Sequence, residues 1–460
     1  MPDLKKLREK GIIAYLLVFF CALIYISLGD NYNVWMDEAF TASLVKTDYR
    51  GVLIRSMNDT LPPLYNLLLK LSTDLFGYSV MVMKLTSAFF MVLTMLLGAR
   101  VVRRRFGDIA SYLFIIAVAV MPNMMFYGVE IRMYSLGFFF ATASGIYAYE
   151  YVCEKDRKNF MLLLLFSVGA GYSHHFAFVT AGFVYLWLLL YFLIYERERI
   201  KSFFVLLLAT FVLYFPCMIV TLKQLKSVSG YFSMPEVTLK VFIKYMRYPF
   251  TLGFTPLSVV MALYMFYLIV KLIMKKEKNR EDFFALACFF IYYGVLLFGT
   301  LVSKIMTANI FVDRYLFFAM GLLWLFMAIR TKELKKGFVY LVLIMELIIG
   351  AISYRNAYAR ENEGDALELI NYLNENVSEG DILYTVEDAE GLALSLPFYD
   401  DRLTNYEELS EVEEKRKGHK VWVAVLEGFE LDEHIPNKEK LKYIDEFSFD
   451  RYRFKLYLME

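Results

Sequence analysis

Long apolar runs divided by short basic clusters constrain this chain more than any other feature. A helix needs roughly 20 apolar residues to cross the hydrocarbon core of a bilayer. Residues 12–28, 79–99, 109–126, 133–152, 160–176, 177–195, 202–222, 253–273, 283–302, 312–329 and 337–353 supply or approach that length, which predicts about eleven spans. Composition agrees: 58% of the 460 residues are hydrophobic and the mean hydropathy is +0.46, more apolar than a soluble domain. The segment 61–76 is apolar but short and opens on Pro62 and Pro63, so it predicts a helix lying at the interface or re-entering.

Lysine and arginine set the orientation, because cytoplasmic loops carry an excess of them. Lys5, Lys6, Arg8 and Lys10 precede the first run. Alternate loops carry Arg100, Arg103, Arg104 and Arg105, then Lys155, Arg157 and Lys158, then Arg197, Arg199 and Lys201. Lys275, Lys276, Lys278 and Arg280 follow, and last Arg330, Lys332, Lys335 and Lys336. With eleven spans all six clusters fall on one side, and a count wrong by one would break the alternation. The expected fold class is an α-helical polytopic protein of the plasma membrane, amino terminus in the cytoplasm and carboxyl tail outside. No small-residue cleavage site follows the run 12–28, so it reads as an uncleaved first helix.

Two domains are expected: a transmembrane unit, 1–353, with a first outer loop at 29–78, and a small extracytoplasmic α/β domain, 354–460. The tail turns abruptly rich in Glu, Asp and Lys. Its pattern predicts a helix over 365–374, a strand over 381–386, a helix around Leu392, a strand over 420–425 and a hairpin-like pair within 443–458. The strand Val421-Trp422-Val423-Ala424-Val425 is apolar throughout, as in a strand covered on both faces. A net charge of +1 gives no case for nucleic acid as a partner. Cys21, Cys153, Cys217 and Cys288 lie in or beside apolar runs with no metal or redox spacing, and read as small apolar residues.

The first outer loop holds the most suggestive chemistry. It carries an acidic pair, Asp37-Glu38, then Asp59 and Pro62-Pro63-Leu64-Tyr65. The pair suits a helix N-terminus equally well as a general base that takes a proton from a hydroxyl. Adjacent helical side chains point about 100° apart, so one of the two is expected to face a reaction centre. Glu130 and Arg132 sit at the junction of the third and fourth runs, where charge is costly unless paired or facing a wet cavity. An ion pair holding the turn is one reading; the other gives Arg132 a lipid phosphate, which its planar fork suits, and Glu130 the orienting of that arginine or of a sugar. His174 and His175 fall on the same outer side and suit interfacial hydrogen bonds, a divalent-metal ligand or a substrate hydroxyl. Asp59 and His174 are the weak candidates for such a metal, and a divalent cation is the one cofactor left open. Lys304, Asp313 and Arg314 flank the turn before the tenth run, with Lys304 and Arg314 as phosphate candidates. Lys244, Arg247 and Tyr248 fit better as interface anchors.

These residues together resemble a known pattern. Asp37-Glu38-Ala39 with Thr41, Asp59 before Pro62-Pro63-Leu64-Tyr65, and Phe76-Gly77-Tyr78-Ser79 look like the first outer loop of membrane glycosyltransferases of the C superfamily. The likeness is to the bacterial branch related to protein O-mannosyltransferases and aminoarabinose transferases. Glu130, Arg132, Tyr134 and Ser135 resemble that branch's second outer motif, and His174 and Arg314-Tyr315-Leu316 resemble two further positions. Leu61 departs from the pattern, since many relatives carry a polar residue there. The resemblance implies inverting transfer of a monosaccharide from a polyprenyl-phosphate donor to a hydroxyl of a lipid, glycan or protein acceptor at the outer membrane face. It implies Asp37 and Glu38 as catalytic carboxylates, with Asp37 the base, Arg132, Arg314 and Lys304 at the donor phosphate, and Asp59, Tyr65, Glu130, Tyr134, His174 and His175 at the substrates. The competing reading is a lipid or solute transporter or flippase. That class predicts broken helices and a cavity near the membrane midplane, whereas an enzyme needs one outer pocket near Asp37 and Arg132.

Overall fold

The computed structural model describes residues 11–231, 237–253, 255–306, 310–386, 389–406, 418–429, 440–450 and 452–459. The first helix α1 (Ile12–Gly29) leads into three short helices of the first loop, α2 (Met36–Leu44), α3 (Tyr49–Asn58) and α4 (Leu64–Phe76). Then come α5 (Val80–Leu97), which continues helically to Phe106, α6 (Asp108–Val120), the short α7 (Met124–Val129), α8 (Tyr134–Glu154), α9 (Arg157–Ser173) and α10 (His175–Tyr195). The membrane unit closes with α11 (Ile200–Tyr231), α12 (Leu239–Met246), α13 (Thr255–Met274), α14 (Arg280–Ile305), α15 (Phe317–Thr331) and α16 (Lys336–Glu361). Each of the eleven expected segments is largely helical, with 109–126 divided between α6 and α7, and among the described residues eight of those helices are long and apolar enough to cross a membrane. The other three, α6, α8 and α9, are shorter or more polar. The segment 61–76 forms α4, whose 13 residues reach about 20 Å, short of a bilayer core.

The polarity of α8 has a packing reason. It lies at the centre of the bundle with 17 of its 21 residues buried, so protein and not lipid surrounds it. Its small residues let the equally buried α15 approach closely: a Cβ on Gly145 would lie 2.4 Å from Leu322, and one on Gly321 would lie 1.9 Å from the Thr142 hydroxyl. Close backbone approach through small residues is how helices associate where lipid and side chains are equally apolar.

Ion pairs gather the basic loops at one end of the bundle. Glu150 binds Arg104 and Arg105; Glu196 binds Lys155 and Arg199 at 2.9 Å and Arg280 at 3.8 Å; Asp282 binds Lys275 at 2.5 Å and Arg330 at 2.7 Å. Loops that the charge pattern assigns to one side thus meet at one side. The cluster before the first run lies outside the described residues.

The tail adds α17 (Ala366–Asn376), β1 (Ile382–Val386), α18 (Ala389–Tyr399), β2 (Thr404–Tyr406), β3 (Val421–Leu426), β4 (Leu441–Phe449) and β5 (Tyr452–Met459). The five strands form one mixed sheet in the order β2-β1-β3-β5-β4, parallel across β2, β1 and β3 and antiparallel elsewhere. The apolar β3 is buried on both faces, with Trp422 and Ala424 in one cluster and Val421, Val423 and Val425 in another. β2 was not expected, since three residues carry too little pattern to be read as a strand.

The tail is seated on the first loop by a buried polar joint. Lys84, fully buried on α5, pairs with Glu361 at the end of α16 and donates to Asn31 Oδ1 at 2.8 Å. Asn33 Nδ2 donates to the backbone carbonyls of Glu361 (2.9 Å) and Glu363 (2.8 Å). The Tyr399 hydroxyl accepts the Val34 N–H at 3.0 Å and donates to Tyr32 O at 3.1 Å. Removing one partner of a buried pair leaves the other charge unpaired in a dry site. Lys84→Met is expected to destabilise the protein by about 3–5 kcal/mol and to open the tail to protease, while Lys84→Met with Glu361→Leu recovers most of the loss. Thermal unfolding and limited proteolysis of the purified protein check both, and equal stability of Lys84→Met and wild type would contradict them.

Candidate active site

A cavity of about 590 Å³ opens between the first loop, the turn before α15 and the tail. Trp35, Phe126, Tyr127, Glu130, Val312, Asp313 and Arg314 line it from the membrane unit, and Arg360, Glu363 and Asp450 close it from the tail side. It lies at the end of the bundle opposite the ion-paired basic loops.

The acidic pair divides as helical geometry requires. Asp37, in the first turn of α2, keeps its carboxylate partly exposed and 3.7 Å from Arg314 Nη1. Glu38 turns inward: it accepts the Ile131 N–H at 2.8 Å and, in a capping arrangement, the Trp35 N–H at 3.2 Å. It therefore fastens the first loop to the second, and like Asp37 and Arg132 it is not among the residues that line the cavity. Burial pushes its carboxyl up to about 7, against the opposing pull of Lys84.

Arg132 and Asp37 are neighbours, but not through the carboxylate. Arg132 Nη1 bonds the Asp37 carbonyl (3.3 Å) and the Thr41 hydroxyl (2.9 Å), and that hydroxyl itself donates to Asp37 O at 2.9 Å. Arg132 thus clamps the turn that carries the acid, and the guanidinium facing the acid is Arg314. The Nε atoms of both arginines are buried with no hydrogen-bond partner.

Glu130 is the most exceptional group in the cavity wall. It is 2% exposed, and neither carboxyl oxygen has a partner. Its backbone is held: Ser87 Oγ donates to Glu130 O at 2.6 Å and shares a 2.6 Å hydrogen bond with Tyr65. Burial, then the nearby Glu38 charge, push the Glu130 carboxyl up to about 8. A buried carboxyl kept neutral near pH 7 can donate a hydrogen bond that a carboxylate cannot.

The remaining expected residues divide between support and periphery. Tyr65 is buried behind Ser87, whose hydroxyl in turn holds the Glu130 carbonyl. Tyr134 is buried against Tyr127 and Phe318, with ring centroids 4.9 and 6.0 Å away. His175 Nε2 lies 3.2 Å from Thr60 O and ties α10 to the first loop. His174 caps α10 by accepting the Phe176 N–H at 3.0 Å; its Nε2 is buried without a partner, beside Tyr315 and Phe318. Asp59 is half-buried at the end of α3, next to Thr60. Lys304 is exposed at the end of α14 and does not line the cavity, a correction to its expected place at a phosphate. Among the described residues no three His, Cys, Asp or Glu side chains gather as a metal site, so Asp59 and His174 have no third ligand.

Comparison with known proteins bears on the fold. The family model of dolichyl-phosphate-mannose-protein mannosyltransferases matches residues 60–220. Two crystal structures of ArnT from Cupriavidus metallidurans superpose over nearly the whole chain. The apo form gives a TM-score of 0.64 at 12% identity, covering 98% of each chain. The form bound to undecaprenyl phosphate gives 0.62 at 13% identity, covering 96% of this chain and 97% of that one. The chain shares the fold of these two ArnT structures over nearly its whole length. The Archaeoglobus fulgidus oligosaccharyltransferase, in complex with Zn and sulfate, gives 0.51 at 13% identity over 89% of this chain and 68% of its own. No curated protein sequence matches significantly. The ArnT likeness extends through the tail, so the small sheet domain is part of the shared architecture.

Sequence reading missed Trp35, Arg360, Glu363 and Asp450 in the wall and Lys84 behind it. Lys84 had a signal, a lysine inside the apolar run of α5; the tail residues had none, because nothing local marks an acid that faces a cavity.

The raised Glu130 carboxyl has a stability consequence. The fold holds this proton more tightly than the unfolded chain, so the stabilisation is complete below the ordinary carboxyl value of 4.5 and is lost as pH rises through about 8. The unfolding temperature of the wild type is expected to fall between pH 5 and pH 9, and Glu130→Gln to flatten that slope. Melting curves across this range test it, and parallel curves for the two proteins would contradict it.

Proposed function

We propose that this protein transfers a monosaccharide, with inversion, from a polyprenyl-phosphate donor to an acceptor hydroxyl at the outer face of the membrane. The observation that carries the reading is the Asp37–Arg314 contact beside a cavity whose Glu130 wall has no protein partner. The ArnT structure with undecaprenyl phosphate, in a chain of the same fold, supports a polyprenyl-phosphate partner. The charge pattern supports an amino terminus in the cytoplasm, about eleven crossings, and a site and tail outside.

In this reading Asp37 takes the proton of the acceptor hydroxyl. The oxygen forms its bond to the anomeric carbon from the face opposite the phosphate. The carbon–oxygen bond to phosphate breaks, and the lipid phosphate leaves with the electron pair. Arg314, pre-positioned over the reacting end, stabilises the charge that develops on the phosphate. Arg132 holds the Asp37 turn in register, so its effect on phosphate passes through Asp37 and Arg314. Glu130, protonated, donates to a sugar hydroxyl or to a phosphate oxygen. A lipid-linked donor diffuses within the bilayer, which suits a cavity at one end of the spans.

A general base contributes roughly 10²–10⁴-fold, so Asp37→Asn is expected to lower sugar transfer by that factor while undecaprenyl phosphate still binds. Arg314→Ala is expected to weaken that binding. Transfer from polyprenyl-phosphate sugar, scored with envelope acceptors, and lipid binding to the purified protein measure both. Near-normal turnover in Asp37→Asn would remove its role as base, and no binding of undecaprenyl phosphate to the wild type would remove the functional reading.

A further inference from the structure

A second cavity of about 200 Å³ adjoins the first. Phe126, Tyr127 and Arg360 line both, so they form the wall between them. In that wall the Arg360 guanidinium carbon lies 3.5 Å from the Phe126 ring centroid. The side chain makes no ion pair or hydrogen bond among the described residues. An arginine stacked on an aromatic face keeps its planar donor fork available, because the ring uses its face and not its N–H groups.

The two cavities differ in charge. The larger one has Arg314 and the shared Arg360 together with four acids, Glu130, Asp313, Glu363 and Asp450. The smaller one is lined by neutral groups, among them Asn123, Thr251, Ser353 and Asn356, and Arg360 is its one charged residue. Asn123 and Asn356 are oriented by backbone carbonyls, their Nδ2 atoms donating to Tyr248 O at 3.1 Å and Leu252 O at 3.2 Å. The Ser353 hydroxyl is buried, 8% exposed, and has no partner. A positive fork above a neutral polar lining with one unused hydroxyl fits a small anionic group that carries further hydrogen-bonding oxygens.

We propose that the smaller cavity is a subsite for an anionic group, phosphate or carboxylate, of the acceptor substrate, and that Arg360 binds this anion. This rests on the transferase reading, in which Arg314 serves the donor phosphate from the far wall. Arg360 belongs to α16 at the root of the tail, so the element that fastens the tail also selects the acceptor. The acceptor class that follows is an envelope lipid or glycan bearing a negative charge near its reacting hydroxyl.

The test uses the full chain in detergent with the donor site filled by undecaprenyl phosphate, and inorganic phosphate or acetate as the anion probe. Thermal unfolding is followed as each probe is titrated. The expected result is saturable stabilisation of wild type, retained in part by Arg360→Lys and weakened on the order of 10-fold or more in apparent affinity by Arg360→Ala. Preference for phosphate or for acetate distinguishes the two anion chemistries. Undecaprenyl phosphate binding is expected to fall less in Arg360→Ala than in Arg314→Ala. An anion response equal in wild type and Arg360→Ala, or absent from both, overturns the subsite, as does a loss of undecaprenyl phosphate binding in Arg360→Ala as large as in Arg314→Ala. Failure of undecaprenyl phosphate to bind wild type strikes the transferase reading instead, and the anion titration without lipid still decides Arg360.

Discussion

The buried pair of Lys84 and Glu361 is the contact on which the site depends. It joins the start of a membrane helix to the end of the last one, with Asn31 and Asn33 of the first loop completing the joint. A buried ion pair contributes little net stability against a well-packed apolar substitute, but it tolerates few alternative arrangements. Its worth here is positional. It sets where α16 ends, and so where Arg360 and Glu363 stand over the cavity. It also holds the first loop at Asn33, four residues before Asp37.

Two layers of charge follow from that joint. The inner layer, Glu38 with Ile131 and Arg132 with Thr41, binds the first and second loops to each other and presents little to the cavity. In the outer layer Arg314 and Glu130 line it, and Asp37 lies 3.7 Å from Arg314. The inner layer leaves Arg132 Nε without a partner; the outer layer leaves Arg314 Nε and both oxygens of Glu130, a residue of the cavity wall. Buried groups left in that state are costly in a folded protein unless something else meets them, which is the physical sense in which the outer layer is a site and the inner layer is its scaffold.

Much of the fold was legible because lipid imposes a strong pattern. Apolar runs and basic loops located every helix of the eleven expected, and the ion pairs of Glu150, Glu196 and Asp282 bring the basic loops to one end. The tail was legible element by element from its periodicity, except for the three-residue β2. α8 is the instructive case. It reads as a span, yet it is buried among other helices, and its glycines and hydroxyl residues report a protein neighbour in place of lipid. At the site, the motifs marked Asp37, Glu130, Arg132 and Arg314 as residues of one region, and the structure places them within one neighbourhood. Motif spacing did not reveal that Glu38 and Tyr65 face inward, or that Lys304 stands apart.

The sequence by itself determined which segments leave water, since hydrophobicity and charge act locally and are additive along the chain. It therefore settled the helical membrane body, the polar tail and the clustering of acids in the first loop. Only the tertiary structure decided which guanidinium meets the Asp37 carboxylate, which carboxyl is left without a partner, and that Arg360 and Glu363 share a wall with Trp35. Those outcomes depend on side-chain direction and on contacts between residues more than 200 positions apart, such as Lys84 with Glu361, and a one-dimensional pattern carries no record of either.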